Sequence, residues 1–199
     1  MSPDSLLDDD AVDARLEGDA DGRPPGWTVN PSKWSQRIPI IVLALVGGVA
    51  AGWLALFQQG TVDTIWEPFF GDGTEEIVKE SGFSEFFERF PVGDAAIGFF
   101  GYAADAVTGA IGGTRRWRTM PWIVIIFGLF VGPFGAMSVM LTIFQPVLYD
   151  SFCTLCLVSG VISLAMIGPG IDEVLASLQY LRRVRNNGRS VWSAFWGTT

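Results

Sequence analysis

The chain has 199 residues, 49% of them hydrophobic, a formal net charge of −8 and no histidine. Histidine-based catalysis and histidine–metal sites are thereby excluded, and two cysteines alone do not make a structural zinc site, which usually takes four ligands. The acidic balance argues against nucleic acid as a partner.

The mean hydropathy of +0.36 comes from apolar residues bunched in runs rather than spread as a soluble core spreads them. Residues 1–37 are polar, with Asp8-Asp9-Asp10 and Pro24-Pro25-Gly26; so little apolar surface predicts an acidic disordered tail. Residues 38–57 form a continuous apolar run about as long as a membrane-crossing helix. The run follows a long acidic tail and lacks a small-residue cleavage site, which argues against a removable signal peptide. Residues 95–111, 121–144 and 148–167 give three more spans; the second is the weakest, being rich in glycine and alanine and containing Asp105. Small residues recur four apart at Gly48/Gly52, Gly109/Gly113 and Gly128/Gly132, a spacing that lets helix backbones approach closely in lipid. The expected fold class is an all-α integral membrane protein, a four-transmembrane-helix bundle over residues 38–168.

Charge orients the spans. Arg115, Arg116 and Arg118 lie between the second and third spans, and Arg182, Arg183, Arg185 and Arg189 follow the fourth. The segment 58–94 is acidic instead, with Asp63, Glu67, Asp72, Glu75, Glu76, Glu80, Glu85 and Glu88 against Lys79 and Arg89. The positive-inside rule then places both termini in the cytoplasm and this segment outside. Trp117 and Trp122 flank the cytoplasmic start of the third span as interfacial aromatics. The only cysteines, Cys153 and Cys156, fall in the first turns of the fourth span, near the outer surface. Disulfide chemistry is supported in that compartment, and a helix N-terminus stabilises a thiolate. One turn separates the two sulfurs, a spacing at which a dithiol can close.

The external segment carries aromatic and apolar residues, "TIWEPFFGDG" over residues 64–73, then Ile77, Phe83, Phe86 and Phe87 at roughly helical spacing. It reads either as an amphipathic helix on the bilayer edge or as a cap shielding a ligand site beside the cysteines. Beyond Pro169-Gly170, Ile171, Val174, Leu175, Leu178, Leu181 and Val184 mark one helix face, with Asp172 and Glu173 in the first turn and Arg182, Arg183 and Arg185 in the last. This predicts a separate amphipathic helix at the cytoplasmic interface within residues 169–199, with partner docking as the alternative. Asp105, an acid inside a span, reads either as a proton route or as a residue nearing the cytoplasmic interface, and the interfacial reading is preferred.

Taken together, these features resemble the vitamin K epoxide reductase family in its bacterial and archaeal branch. "VLYDSFCTLCL" (residues 147–157) is similar to the family's approach to its membrane Cys-x-x-Cys. Trp66, Phe70 and Gly71 match a Trp-x-x-x-Phe-Gly pattern, and Asp94, Gly98 and Tyr102 fit an Asn-x-x-x-Gly-x-x-x-Tyr stretch apart from the first residue. The resemblance implies a bundle that holds a membrane quinone, menaquinone or ubiquinone, near the outer surface and couples its reduction to oxidation of an exported thioredoxin-like dithiol protein. By the same resemblance Cys153 exchanges with the incoming thiol, Cys156 faces the quinone, Asp94 hydrogen-bonds a quinone carbonyl, Tyr102 belongs to the quinone site, and Trp66 and Phe70 cap the ring.

Two departures stand out. Family members usually carry a second cysteine pair in the external segment, and here residues 58–65 contain none. Four residues beyond the second cysteine, where a tyrosine often contacts the quinone, this chain has Gly160. The first departure motivates a rival reading, a non-enzymatic membrane subunit or scaffold of the same fold; a third is that the two cysteines are only small packing groups.

Overall fold

The structure, a computed structural model, describes residues 16, 18–71, 73–80 and 93–198. Its described elements are helices: α1 Trp34–Gln58, α2 Gly73–Glu80, α3 Asp94–Ala110, α4 Arg116–Thr119, α5 Pro121–Leu148, α6 Thr154–Asn186 and α7 Val191–Trp196. Three of them, α1, α5 and α6, are long and apolar enough to cross a membrane. Their outward faces are apolar as well: Val49, Leu129 and Val161 are each more than 60% exposed. Water would penalise such a surface and lipid does not.

The 17-residue α3 packs along α1 and α5, while α6 packs on α5 and α1. The four helices enclose Ile40, Ala44, Tyr102, Phe127, Val131, Ile162 and Met166. Small residues set the closest approaches. A methyl group at Gly128 would come within 2.2 Å of Val174, and one at Gly47 within 2.6 Å of the Tyr102 ring. Of the glycines expected at contacts, Gly48, Gly52 and Gly109 also face a neighbouring side chain, whereas Gly113 and Gly132 meet nothing within 4 Å.

The stretch expected as the fourth span differs from expectation at both ends. Helix α6 begins at Thr154 rather than 148 and runs unbroken through Pro169-Gly170 to Asn186. The separate C-terminal interfacial helix is therefore the second half of α6, followed by the short α7. Proline removes one backbone hydrogen bond but does not end an apolar helix whose neighbours hold it in place. Here Gly170 lies directly on Val131 and Phe127 of α5. The link from α5 turns through Asp150, whose φ of 49° is a left-handed conformation that aspartate tolerates better than most residues.

The tail is likewise more ordered than its composition predicts. Residues 18–33 wrap the basic end of the bundle. The Trp117 indole donates to the Gly22 carbonyl (2.9 Å), the Trp27 indole to Gln179 Oε1 (2.9 Å) and Arg183 to the Pro25 carbonyl (2.8 Å). A few directed hydrogen bonds and the burial of Leu16 and Ser32 supply what hydropathy alone could not reveal. The aspartate run at residues 8–10 and the aromatics Phe83, Phe86 and Phe87 lie outside the described residues. Trp117, expected at the interface, is fully buried against Tyr180; Trp122 packs on Trp196.

Two arginines close this end. Arg37 donates to the carbonyls of Gly109 (2.9 Å), Ile111 (2.8 Å) and Gly112 (2.8 Å), filling the acceptors that α3 leaves open at its C-terminus. Arg116 makes a fully buried two-point ion pair with Glu173, whose Oε1 also accepts from Ser32 Oγ at 2.5 Å. Glu173 thus sits mid-helix against a partner and not in a first turn.

Candidate redox site

Five residues, 149–153, connect α5 to α6 and deliver the cysteines. Cys153 is the N-cap of α6 in extended conformation, and its Sγ accepts from the Cys156 N–H at 3.2 Å. Its own N–H donates to Gln145 Oε1 at 3.2 Å. The two cysteines form a disulfide with Cα atoms 5.2 Å apart.

Their surroundings differ. Cys153, expected near an outer surface, is fully buried among Leu54, Phe57, Ile77 and Val78. The physical reason is that α2 sets Ile77 and Val78 against it, while Glu67 of the preceding loop bonds Thr154 beside it. Cys156 instead forms part of the wall of a cavity of about 490 Å3 between α1, α3, α5 and α6. Most of that wall is apolar. Its polar members include Gln58, Asp94, Tyr102, Asp105, Gln145 and Ser159.

These groups form two levels. Near the cysteines, Gln58 Nε2 donates to Asp94 Oδ1 (2.5 Å) and lies 3.0 Å from the Val78 carbonyl, tying α1, α2 and α3 together. One turn beyond Cys156, Tyr102 Oη donates to the Ser159 carbonyl (2.8 Å) and lies 2.8 Å from Ser163 Oγ. Asp105 is 4% exposed and Ser159 9%. Asp105 Oδ1 and Ser159 Oγ have no hydrogen-bond partner. The interfacial reading of Asp105 is therefore corrected: α3 continues to Ala110 and keeps this carboxyl inside the bundle.

Of the residues singled out from sequence, Cys156, Asp94 and Tyr102 share this cavity. Trp66, 62% exposed, and Phe70, packed on Phe152 at 5.4 Å, do not line it. At Gly160 a Cβ would lie 2.7 Å from Thr142 Oγ1. That face of α6 meets α5, which leaves no room for a tyrosine.

Sequence reasoning missed Gln58, Gln145, Glu67 and Thr154. Gln58 and Gln145 are isolated amides ending apolar runs, which is a usable signal; Glu67 was submerged in a general acidic excess. Its carboxylate accepts from the N–H (2.8 Å) and hydroxyl of Thr154, from the Thr74 hydroxyl (2.7 Å) and from the N–H groups of Phe69 (3.1 Å) and Phe70 (3.2 Å). Partial burial pushes this carboxyl up, but the bonds from Thr154, Thr74 and Phe69 outweigh it and hold the group down at about 2.

The family model for vitamin K epoxide reductases matches residues 38–168, the stretch that holds α1, α3, α5 and the disulfide. The chain belongs to the vitamin K epoxide reductase family. No curated protein and no solved structure matches it. Vitamin K epoxide reductases are membrane oxidoreductases with quinones as redox partners. The cavity fits such a partner: its volume lies within the roughly 300–1,000 Å3 of small-molecule sites, and its apolar wall carries few polar groups. Among the described residues no group of three or more histidine, cysteine or acidic side chains can hold a metal ion.

Proposed function

We propose that this vitamin K epoxide reductase family member is a thiol:quinone oxidoreductase, oxidising an extracytoplasmic dithiol of a thioredoxin-like protein and reducing a membrane quinone. The observation that carries this reading is Cys156, disulfide-bonded to Cys153, in the wall of an apolar cavity beside Asp94. Four spans with cytoplasmic termini and an outward disulfide follow from the arginines at the far end of the bundle and the acidic 58–94 segment. Residues 59–80 act as the cap.

In this scheme the partner's thiolate attacks Cys153 Sγ, forming a mixed disulfide and releasing Cys156 as a thiolate. The partner's second thiol then resolves the mixed disulfide and leaves Cys153 and Cys156 reduced. A quinone in the cavity accepts the resulting electron pair and two protons, and the Cys153–Cys156 bond reforms. Asp94, held by Gln58 through Oδ1, would use its other carboxylate oxygen to accept from a hydroxyl of the quinol as the acceptor is reduced. The apolar walls exclude water. Asp105 is the candidate proton route on the deeper side of the ring. If Asp105→Asn leaves the pH dependence of turnover unaltered, that role is dismissed.

The test is direct. Cys153→Ser and Cys156→Ser should each abolish quinone reduction by a dithiol, and unchanged turnover in either excludes the mechanism. The Cys156→Ser protein should retain its redox partner as a covalent mixed disulfide through Cys153.

One observation favours the rival reading, a non-enzymatic membrane subunit or scaffold. Cys153 is covered, and residues 58–65 offer no cysteine to relay electrons to it. Cysteines that stay reduced in the cell, in a complex with a stoichiometric partner, would establish that reading instead.

A further inference from the structure

A helix opens with N–H groups that have no partner within the helix, and their partial positive charge stabilises an anion. A cysteine placed there is ordinarily acidified. In α6 these donors are divided. The Thr154 N–H goes to Glu67 and the Cys156 N–H to Cys153 Sγ, while the Leu157 N–H makes the first intrahelical bond, to the Cys153 carbonyl. A carboxylate from the preceding loop and the sulfur of the redox pair therefore share one helix start.

We propose that Glu67 is a positioning residue for disulfide exchange: its fixed negative charge at the start of α6 opposes the Cys153 thiolate and makes the pair a weaker oxidant. The inference rests on the thiol-exchange reading above and adds to it what sets the poise of the pair. Three features support it. The carboxylate is immobilised by donors from three places, the 69–70 turn, Thr74 of α2 and Thr154 of α6. It is ionised throughout the physiological range, because those donors hold its titration at about 2. Its Thr154 partner is the residue next to Cys153, so the charge and the Cys153 sulfur stand at the same helix start.

The consequence follows from charge. A like charge disfavours the ionised thiol. The reduced state of a disulfide is stabilised by thiolate formation, so a less acidic thiol means a lower reduction potential. The acceptance of an electron pair from the incoming dithiol becomes harder, and its delivery to the acceptor in the cavity easier.

The test uses the full chain in lipid nanodiscs, with no quinone or partner protein. In the Cys156→Ser background only Cys153 titrates, read by ultraviolet thiolate absorbance. With Glu67 present, the titration should fall at or above the ordinary thiol value of about 8.5. Glu67→Gln keeps size and removes charge, at the cost of one of the two acceptor oxygens; it should lower the titration by about one pH unit, a tenfold gain in thiolate at a fixed pH below it. In the two-cysteine protein, measured at a pH about one unit above the native titration so that the thiol is ionised in both forms, the same change should shift the dithiol/disulfide equilibrium about tenfold toward the dithiol, raising the potential by about 30 mV. Thr154→Val, which removes one contact but leaves the charge, should move neither reading.

The proposal is overturned if Glu67→Gln leaves the titration unchanged or raises it, or if Thr154→Val moves it as far. A Cys153 thiol already strongly acidic beside Glu67 also overturns it, and this measurement needs no variant at position 67. Failure of quinone turnover would instead strike the proposed function, since these titrations involve no acceptor.

Discussion

Gln58, the last residue of α1, does with one amide what three separate contacts would otherwise have to do. Its Nε2 reaches Asp94 on α3 and the Val78 carbonyl on α2, and its Oε1 accepts from the Ala95 N–H at 3.3 Å. Asp94 is thereby fixed at the cavity wall rather than free to rotate. Removing a hydrogen bond to a charged group costs about 1.5–3 kcal/mol. Asp94→Ala, which removes the acceptor for the forming quinol hydroxyl, should therefore lower kcat and kcat/KM for the quinone roughly tenfold or more, with the dithiol KM unchanged, in steady-state assays varying each substrate in turn. Gly160 is constrained by packing in the same way. Gly160→Tyr, which restores the residue frequent in the family, should not restore a quinone contact. With Thr142 Oγ1 only 2.7 Å from the first added carbon, it should destabilise the protein by about 1–3 kcal/mol or more in thermal unfolding.

The start of α6 has an acid sensitivity that can be read from Glu67. Its carboxyl is held at about 2 in the folded chain, against an ordinary 4.5. The folded value is the depressed one, so the contribution to stability is complete above about pH 4.5 and is lost as pH falls toward 2. The difference in thermal stability between the native protein and Glu67→Gln should accordingly shrink across that window. At the other end of α6, Arg116 and Glu173 are almost wholly buried. Glu173→Ala should cost about 3–5 kcal/mol because it strands a buried guanidinium, whereas replacing both partners with apolar residues of similar volume should recover most of that loss.

The apolar stretches of α1, α5 and the first half of α6 were readable because hydropathy over some twenty residues is a strong, local signal. The conjunction of Cys-x-x-Cys, Asp94 and Tyr102 was readable only through the family resemblance, and three of those four residues line the cavity, Asp94 and Tyr102 from α3 and Cys156 from α6. What could not be read depended on contacts distant in the chain. Nothing near Trp27 announces Gln179, nothing near Glu67 announces Thr154, and the Pro169-Gly170 pair looks like a helix end until Val131 and Phe127 are seen beneath it. Trp66 and Phe70 show the same limit: a motif fixes residue types, but not that Phe70 packs on Phe152 and Trp66 stands exposed.

Helix α6 has 33 residues, about 50 Å at 1.5 Å per residue, well beyond the roughly 30 Å of a hydrocarbon core. Its surplus forms the post on which residues 18–33 rest. Trp27 and its acceptor Gln179 are separated by 152 positions. At a synthesis rate of about 5–20 residues per second, roughly 8–30 s pass between the making of the one and the other. For that interval the first-made portion of the chain has only its contacts with residues 114–117 to rest on, and a nascent-chain chaperone or protease has its opening then, before the ribosome reaches the post.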